Sequence, residues 1–359
     1  MSCAKTAAVG AGAGSGPRPF LKWAGGKRQL LPELLGRLPQ GFGRAAGRAL
    51  GGAEPRAGAL LSGSLASHLA GQGAVAAAGG RYHEPFVGGG ALFFALSGRG
   101  ELHPGGARLS DINPELINAY QVVRDRVETL IVVLEAFRNE EEFFYQVRGQ
   151  SPDTLDPIER AARLIYLNKT CFNGLFRENR RGHFNVPFGH YPSPHFCAAN
   201  ELRAASRALR GVTIEVSPFT TLAEVARPGD FVYCDPPYAP VSRTASFTSY
   251  TSSGFNEAAQ RQLAELVAEL GRRGVNVLLS NSAVPFTLEL YKSKGCHVEQ
   301  IYAKRAINSR GDRRGKVPEL LVAAGPLADE LRGRSPAPQA AEAAAPVRVA
   351  TESPSAAEY

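Results

Sequence analysis

The sequence predicts an α/β protein, a mostly parallel sheet covered on both faces, with a helical module inserted into it. Three observations carry this. Short apolar runs rich in strand formers alternate with helical patterns along much of the chain. The block 114–197 interrupts that alternation with helix-rich, aromatic and basic sequence. Several of the strand runs end in glycines, a carboxylate or a Pro-Pro unit, the residue types found where open α/β sheets bind ligands.

In chain order, residues 1–16 are Ala, Gly and Ser with few bulky side chains and predict an unstructured N-terminus. The sheet domain is expected over 17–113 and 198–326. It is interrupted at 41–80 by a small-residue-rich insertion that cannot bury enough apolar surface to offset chain entropy, apart from a short helix near Leu60–Leu69. Strands are expected at Tyr82–Phe86, Ala107–Ser110, Val212–Val216, Phe231–Cys234, Val275–Ser280 and Leu320–Ala323. Leu263, Leu266, Val267 and Leu270 recur at helical spacing and predict a helix over Asn256–Arg272. From Leu327 to 359 the composition is Ala, Pro, Glu and Ser, and a disordered tail is expected.

Composition narrows the function classes. No apolar run reaches the ~18–20 residues of a membrane span, and the N-terminus lacks the apolar core of a signal peptide. The cysteines, Cys3, Cys171, Cys197, Cys234 and Cys296, are scattered without a Cys-x-x-Cys pair. That spacing gives neither a disulfide framework nor a metal site, and a reducing cytoplasm is the expected compartment. A net charge of +8 suits a partner with a phosphate backbone, or reflects the Arg, Ala and Gly bias of a GC-rich genome.

Three strand ends carry candidate chemistry. In "YHEPFVGGGALFFAL", Phe86 leads into Gly88, Gly89 and Gly90 and then a helix, so a ligand can approach backbone N–H groups closely. Phe93 breaks the full G-x-G-x-x-G pattern, and a tight turn alone would also explain the glycines. In "ARLSDINPEL", Asp111 follows about twenty residues later, the spacing at which a carboxylate receives ribose hydroxyls. It would equally serve as a helix cap before Pro114. Together, glycines and acid favour a nucleoside-containing ligand.

The third strand end is "DFVYCDPPYAP". The Asp235 carboxylate and the Pro236 carbonyl can accept both hydrogens of an exocyclic amino group. An aromatic amine is a poor nucleophile because its lone pair is delocalised, and two such acceptors favour the pyramidal form that frees it. Tyr238 offers a face for a planar base, and the Pro236-Pro237 unit makes the site rigid. An amine inside a duplex is out of reach, so the nucleotide must be extruded at a cost of a few kcal/mol, met by contacts elsewhere. "LNKTCFNGLFRENRRGHFNVPFGHY" supplies candidates in Lys169, Phe172, Asn173, Arg177, Arg180, Arg181 and Tyr191, with Phe184 and Phe188 assigned to the module core. The run Arg305, Arg310, Arg313, Arg314, Lys316 reads as a backbone-binding strip or a solvated loop.

These stretches, with "FLKWAGGKRQLL", "NKTCFNGLFREN", "GHFNVPFGHY" and "INSRGDRRGKVPELLV", occur in an order that resembles the Dam-type DNA adenine-N6 methyltransferases across most of Pro19–Ala324. The resemblance implies a Rossmann-like class I methyltransferase sheet with a target-recognition region at 114–197. S-adenosylmethionine would be the cofactor and double-stranded DNA the partner, with no obligate protein partner and no metal. It implies that Trp23, Lys27, Phe86, Gly88, Gly90, Asp111 and Asp235 bind the cofactor. Asp235, Pro236, Pro237 and Tyr238 would hold the target adenine. Lys22, Phe172, Asn173, Leu175 and Arg177 would contact DNA at a site that is often GATC in relatives. Phe172 stands where some relatives have Tyr, and His190 where some have Arg. The methyl of a sulfonium is already activated, so direct transfer needs alignment alone. The rival readings are cytosine-N4 methylation, which usually places Ser at position 235, a non-catalytic DNA-binding protein on the same fold, and an RNA substrate.

Overall fold

The apolar runs expected as strands pair into one seven-stranded sheet. In this computed structural model the described residues are 16–23, 25–43, 80–103, 105–179, 182–240, 255–304 and 316–334. The elements of the first half are α1 (Leu31–Leu35), β1 (Tyr82–Glu84), α2 (Ala91–Gly98), β2 (Ala107–Asp111), α3 (Pro114–Asp125), α4 (Val127–Glu135), α5 (Glu141–Gly149) and α6 (Pro157–Thr170). The second half adds α7 (Ala199–Leu209), β3 (Thr213–Val216), α8 (Leu222–Val225), β4 (Phe231–Cys234), α9 (Glu257–Arg272) and β5 (Asn276–Ser282). It closes with α10 (Pro285–Ser293), β6 (His297–Lys304), β7 (Lys316–Ala324) and α11 (Pro326–Gly333).

The strand order is β3-β2-β1-β4-β5-β7-β6. β1 to β5 run parallel, while β7 lies antiparallel to both β5 and β6. This is the Rossmann-like methyltransferase sheet. Its topological switch falls between β1 and β4, which pair side by side, so the crevice beyond their carboxyl ends is the place for a ligand. Pro85 lacks an amide hydrogen, and β1 accordingly stops at Glu84, short of the expected Phe86.

β4 is buried along its whole length, as a strand covered on both faces must be. α9 covers one face through Leu263, Leu266, Val267 and Leu270, all buried, and Asn256 caps it by accepting from the Ala259 N–H. Each such side chain contributes about 1.5–3 kcal/mol by leaving water. The other face carries a larger core running without a break from Phe20 and Phe94 through Tyr120 and Leu164 to Phe184 and Phe188. The core of the helical block is thus continuous with that of the sheet. α3 is the first helix of 114–197, yet its Gln121 and Arg124 side chains donate to the Ile214 and Val212 carbonyls along the edge strand β3.

One expectation is corrected outright. The chain beyond Leu327 begins ordered: α11 packs Leu327, Ala328 and Leu331 into the core, because these apolar residues fall on one helical face before the Ala/Pro-rich composition sets in. The sequence reading also passed over β6. The expectations for 1–15, for 44–79 including Leu60–Leu69, for Arg180 and Arg181, for Arg305, Arg310, Arg313 and Arg314, for the Lys316 side chain, and for 335–359 lie outside the described residues.

Candidate active site

At the end of β4 the chain leaves the sheet as Asp235-Pro236-Pro237-Tyr238, and neighbours fix each part of it. Gln260 donates to the Pro237 carbonyl at 2.9 Å, Asn281 donates to the Gln260 side chain at 3.0 Å, and Asn281 also accepts from the Ala239 N–H at 3.1 Å. Ser282 donates to the Ala239 carbonyl at 2.7 Å. Tyr238 donates its hydroxyl to Glu319 at 2.7 Å, which orients the ring. Among the described residues the Pro236 carbonyl receives no hydrogen bond.

The electrostatic centre is a buried ion pair. Lys27 Nζ lies 2.8 Å from Asp235 Oδ1, and the two side chains are only 7% and 19% exposed. Lys27 also lies 4.6 Å from the centre of the Tyr238 ring and donates to the Gly25 carbonyl at 2.6 Å. Ser280 donates to the same Oδ1 at 3.0 Å and is itself 3.1 Å from the Tyr233 hydroxyl. Burial pushes the Asp235 carboxyl above its ordinary value, and Lys27 and Ser280 pull it back down. Both protein donors converge on one oxygen, so Oδ2 has no partner among the described residues.

Beyond β1 lies the glycine turn. Gly88 and Gly90 have φ of +45° and +64°, a region that favours glycine. A Cβ on Gly88 would stand 2.8 Å from Trp23 Cδ1, and one on Gly90 would stand 2.7 Å from the Tyr120 hydroxyl. Asp111, at the end of β2, accepts from the Gly88 N–H through Oδ2 at 3.3 Å and from the Asn113 N–H through Oδ1 at 3.0 Å. Burial raises its carboxyl, and these backbone N–H groups counter the effect. The helix-cap role weighed for Asp111 belongs to Asn113, whose side chain accepts from the Leu116 N–H. Phe86 stacks on Phe219 at 5.5 Å on the far side of the turn.

The recognition candidates sit on a separate surface joined to this crevice. Phe172 is 52% exposed beside Asn173, whose φ is +57° and whose N–H donates to the Tyr191 hydroxyl at 3.0 Å. Lys22 Nζ lies 5.4 Å from the centre of the Tyr191 ring. Arg177 is exposed and donates from Nε to Asn185 at 2.8 Å. Leu175 differs from its neighbours in being half-buried against the core. Phe184 and Phe188 are buried, as expected. Asp235, Lys27 and Tyr238 are therefore in one cluster, Trp23, Gly88, Gly90 and Asp111 in a second, and Lys22, Phe172 and Asn173 in a third.

Sequence reasoning missed several members. Ser280 and Asn281 lie near the end of β5 in "LLSNSA", polar residues following an apolar run, a signal of the kind that did mark Asp235. Glu84 ends β1, fully enclosed, and accepts from the Tyr82 hydroxyl at 2.8 Å. Burial pushes its carboxyl up to about 8, and the nearby Asp235 charge adds to the rise.

A parallel sheet with a glycine turn after β1, an acid after β2 and a rigid Asp-Pro-Pro-Tyr turn after β4 defines a Rossmann-like methyltransferase. The comparisons sharpen that class. The profile of the D12 class N6 adenine-specific DNA methyltransferase family matches residues 65–308. The chain is 37% identical over 319 residues to a Type II methyltransferase of Methanocaldococcus jannaschii, covering 85% of this chain and 98% of that protein. It is 36% identical over 313 residues to a Type II methyltransferase of Lactococcus lactis subsp. cremoris, covering 85% and 94%. It is 35% identical over 309 residues to a DNA adenine methylase of Escherichia coli, again covering 85% and 94%. The chain belongs to the D12 class of N6 adenine-specific DNA methyltransferases. No described helix is long and apolar enough to cross a membrane.

Proposed function

We propose that this enzyme transfers a methyl group from S-adenosylmethionine to the N6 amino group of an adenine swung out of double-stranded DNA. The observation that carries the reading is the division of labour at Asp235. Lys27 and Ser280 hold Oδ1, while Oδ2 and the Pro236 carbonyl keep lone pairs for two amino hydrogens. Lys27 opposes the rise that burial gives the Asp235 carboxyl and so favours its charged form, which grips an N–H more strongly. The rigid Pro-Pro turn fixes the separation of the two acceptors before the base arrives. Tyr238, its hydroxyl tied to Glu319, presents its ring for stacking.

The residues beside this crevice fit the proposed donor. Each Asp111 oxygen has one backbone partner and retains acceptor capacity for ribose hydroxyls. The glycine turn leaves no room for a side chain between itself and Trp23, which suits close approach of a ligand to its backbone. The donor, when bound, supplies a methyl on a positively charged sulfur, which the Asp235 charge complements. The leftover amino proton passes to solvent through the exposed fraction of Asp235.

On the DNA side, Phe172 would fill the gap left by the extruded base, Lys22 and Asn173 would hold the strand beside it, and Arg177 would read a base edge. Leu175, being half-buried, would contribute shape at the base of this loop. GATC is the candidate target. The test is to express the enzyme in a methylation-deficient host and read modified bases directly. N6-methyladenine at one sequence motif is expected with the native enzyme and none with Asp235→Ala; methylation surviving that substitution, or appearing on cytosine, would overturn the assignment.

A further inference from the structure

The recognition loop and the glycine turn meet on one side chain, Trp23, which is the sole tryptophan of the chain. Its indole lies against Gly88 at the turn. It also stacks on Phe176, with centroids 5.0 Å apart and ring planes 21° from parallel. Phe176 sits between Leu175 and Arg177 in the recognition loop and leans on the buried Phe184 at 5.9 Å. One ring of the loop thus presses the indole that covers the glycines.

The backbone on either side of Trp23 is tied in the same two directions. Lys22 donates its N–H to Asn168 Oδ1 at 2.8 Å and its carbonyl accepts from Asn168 Nδ2 at 2.7 Å, and Asn168, wholly buried on α6, also donates to the Gly174 carbonyl at 3.2 Å. Beyond the indole, the Trp23 carbonyl accepts from the Gly26 N–H at 3.1 Å, closing the turn that delivers Lys27 to Asp235. Lys22 is thus fastened to the recognition loop, and Lys27 to the reacting centre.

We propose that Phe176 is a positioning residue, which through the Trp23 indole couples DNA engagement at Phe172, Asn173 and Arg177 to the affinity of the donor site at the glycine turn. Fixing the loop on DNA fixes Phe176, and the indole is then held over Gly88 in the geometry that the donor needs. By linkage, donor binding raises DNA affinity by the same factor. This rests on the reading of these segments as DNA and donor sites. If the stack were packing alone, its loss would weaken both ligands without changing the factor between them.

The experiment uses the full chain, S-adenosylhomocysteine as an unreactive probe of the donor site, and a duplex carrying the sequence that the enzyme is first found to methylate. The probe's Kd is measured with and without duplex, and the duplex Kd with and without probe, using Trp23 emission and duplex anisotropy. In the native enzyme the two ratios should agree and lie within about 5–150-fold, the usual range of allosteric coupling. Phe176→Leu should bring both ratios to about 1 while the separate Kd values change by only about threefold, and Phe176→Tyr, which keeps a ring, should restore them. An undiminished ratio in Phe176→Leu overturns the proposal, as does a uniform loss of both affinities with the ratio preserved. The two claims fail separately, because absence of N6-methyladenine in cellular DNA would remove the functional reading before the ratio is measured.

Discussion

Replacing Lys27 by methionine is the most direct test of how Asp235 is kept charged. Two unit charges 2.8 Å apart attract by about 6 kcal/mol at an effective dielectric near 20, and desolvation offsets much of that. What survives for a carboxylate beside a buried cation is typically a fall of about 1–3 pKa units, or about 1.4–4 kcal/mol. Removing the cation leaves burial unopposed except by Ser280, so the carboxyl, already raised, must rise further. The acid form is the inactive one in this scheme. The acidic limb of a pH–rate profile, measured in single turnover at saturating donor and DNA, should therefore move to higher pH by about 1–3 units.

The same variant makes a stability prediction with a definite sign. An unpaired buried carboxylate costs about 3–5 kcal/mol, but protonation removes the charge, so the thermal destabilisation of Lys27→Met should be smaller at pH 5 than at pH 8. A variant whose acidic limb superposes on that of the native enzyme, with only a uniform drop in rate, would refute the argument. Lys27 would then serve the donor or the fold without tuning Asp235.

Three further outcomes follow from the geometry. Glu84 stays protonated up to about 8 in the folded protein, whereas the unfolded chain ionises it near 4.3; the stability it contributes is complete below about pH 4 and is lost as pH rises toward 8. Glu84→Gln should flatten that slope and gain on the order of a few kcal/mol at pH 8 in urea titrations, and an unchanged slope would place the proton elsewhere. Asp111→Asn should weaken donor binding by roughly 10–100-fold, as loss of about 1.5–3 kcal/mol per charged hydrogen bond implies, while leaving the duplex Kd without donor unchanged. Arg177→Ala should relax selectivity at one base pair by about 1–3 kcal/mol, read by sequencing modified bases in cellular DNA; equal loss at every sequence would make Arg177 a phosphate contact instead.

Some of this architecture was legible in the sequence and some was hidden, for physical reasons. Phe231–Cys234 was legible to the residue because a strand buried on both faces must be an unbroken apolar run and must stop at the first charge. The helix at 257–272 was legible from its apolar stripe. β6 was not: it is an edge strand, paired on one side only, and "HVEQIYAK" has neither the unbroken apolar run of the inner strands nor a regular alternation. The first half of β7 was masked by Pro318, which the strand accommodates because pairing with β5 extends no further than Glu319. Asp235, Pro236 and Tyr238 could be singled out by residue type alone. Lys27, however, reaches Asp235 from more than two hundred residues away, and which oxygen it takes is a matter of tertiary packing that no local pattern encodes.

The crevice also explains how two buried acids can share one sheet edge. Glu84 and Asp235 end adjacent strands at the topological switch, and the charge on one disfavours the charge on the other. Their surroundings separate them. Glu84 faces a tyrosine hydroxyl in an enclosed site with no cation against it, so it keeps its proton and adds no second negative charge. Asp235, also raised by burial, has Lys27 and Ser280 to oppose that rise. Environments that drive paired titratable groups apart assign their roles, and on the proposed reading Asp235 is the acceptor and Glu84 a neutral wall. The arrangement holds only while Glu84 is neutral. Above about pH 8 a second carboxylate forms beside Asp235, by which point the stability that Glu84 contributes has already been lost.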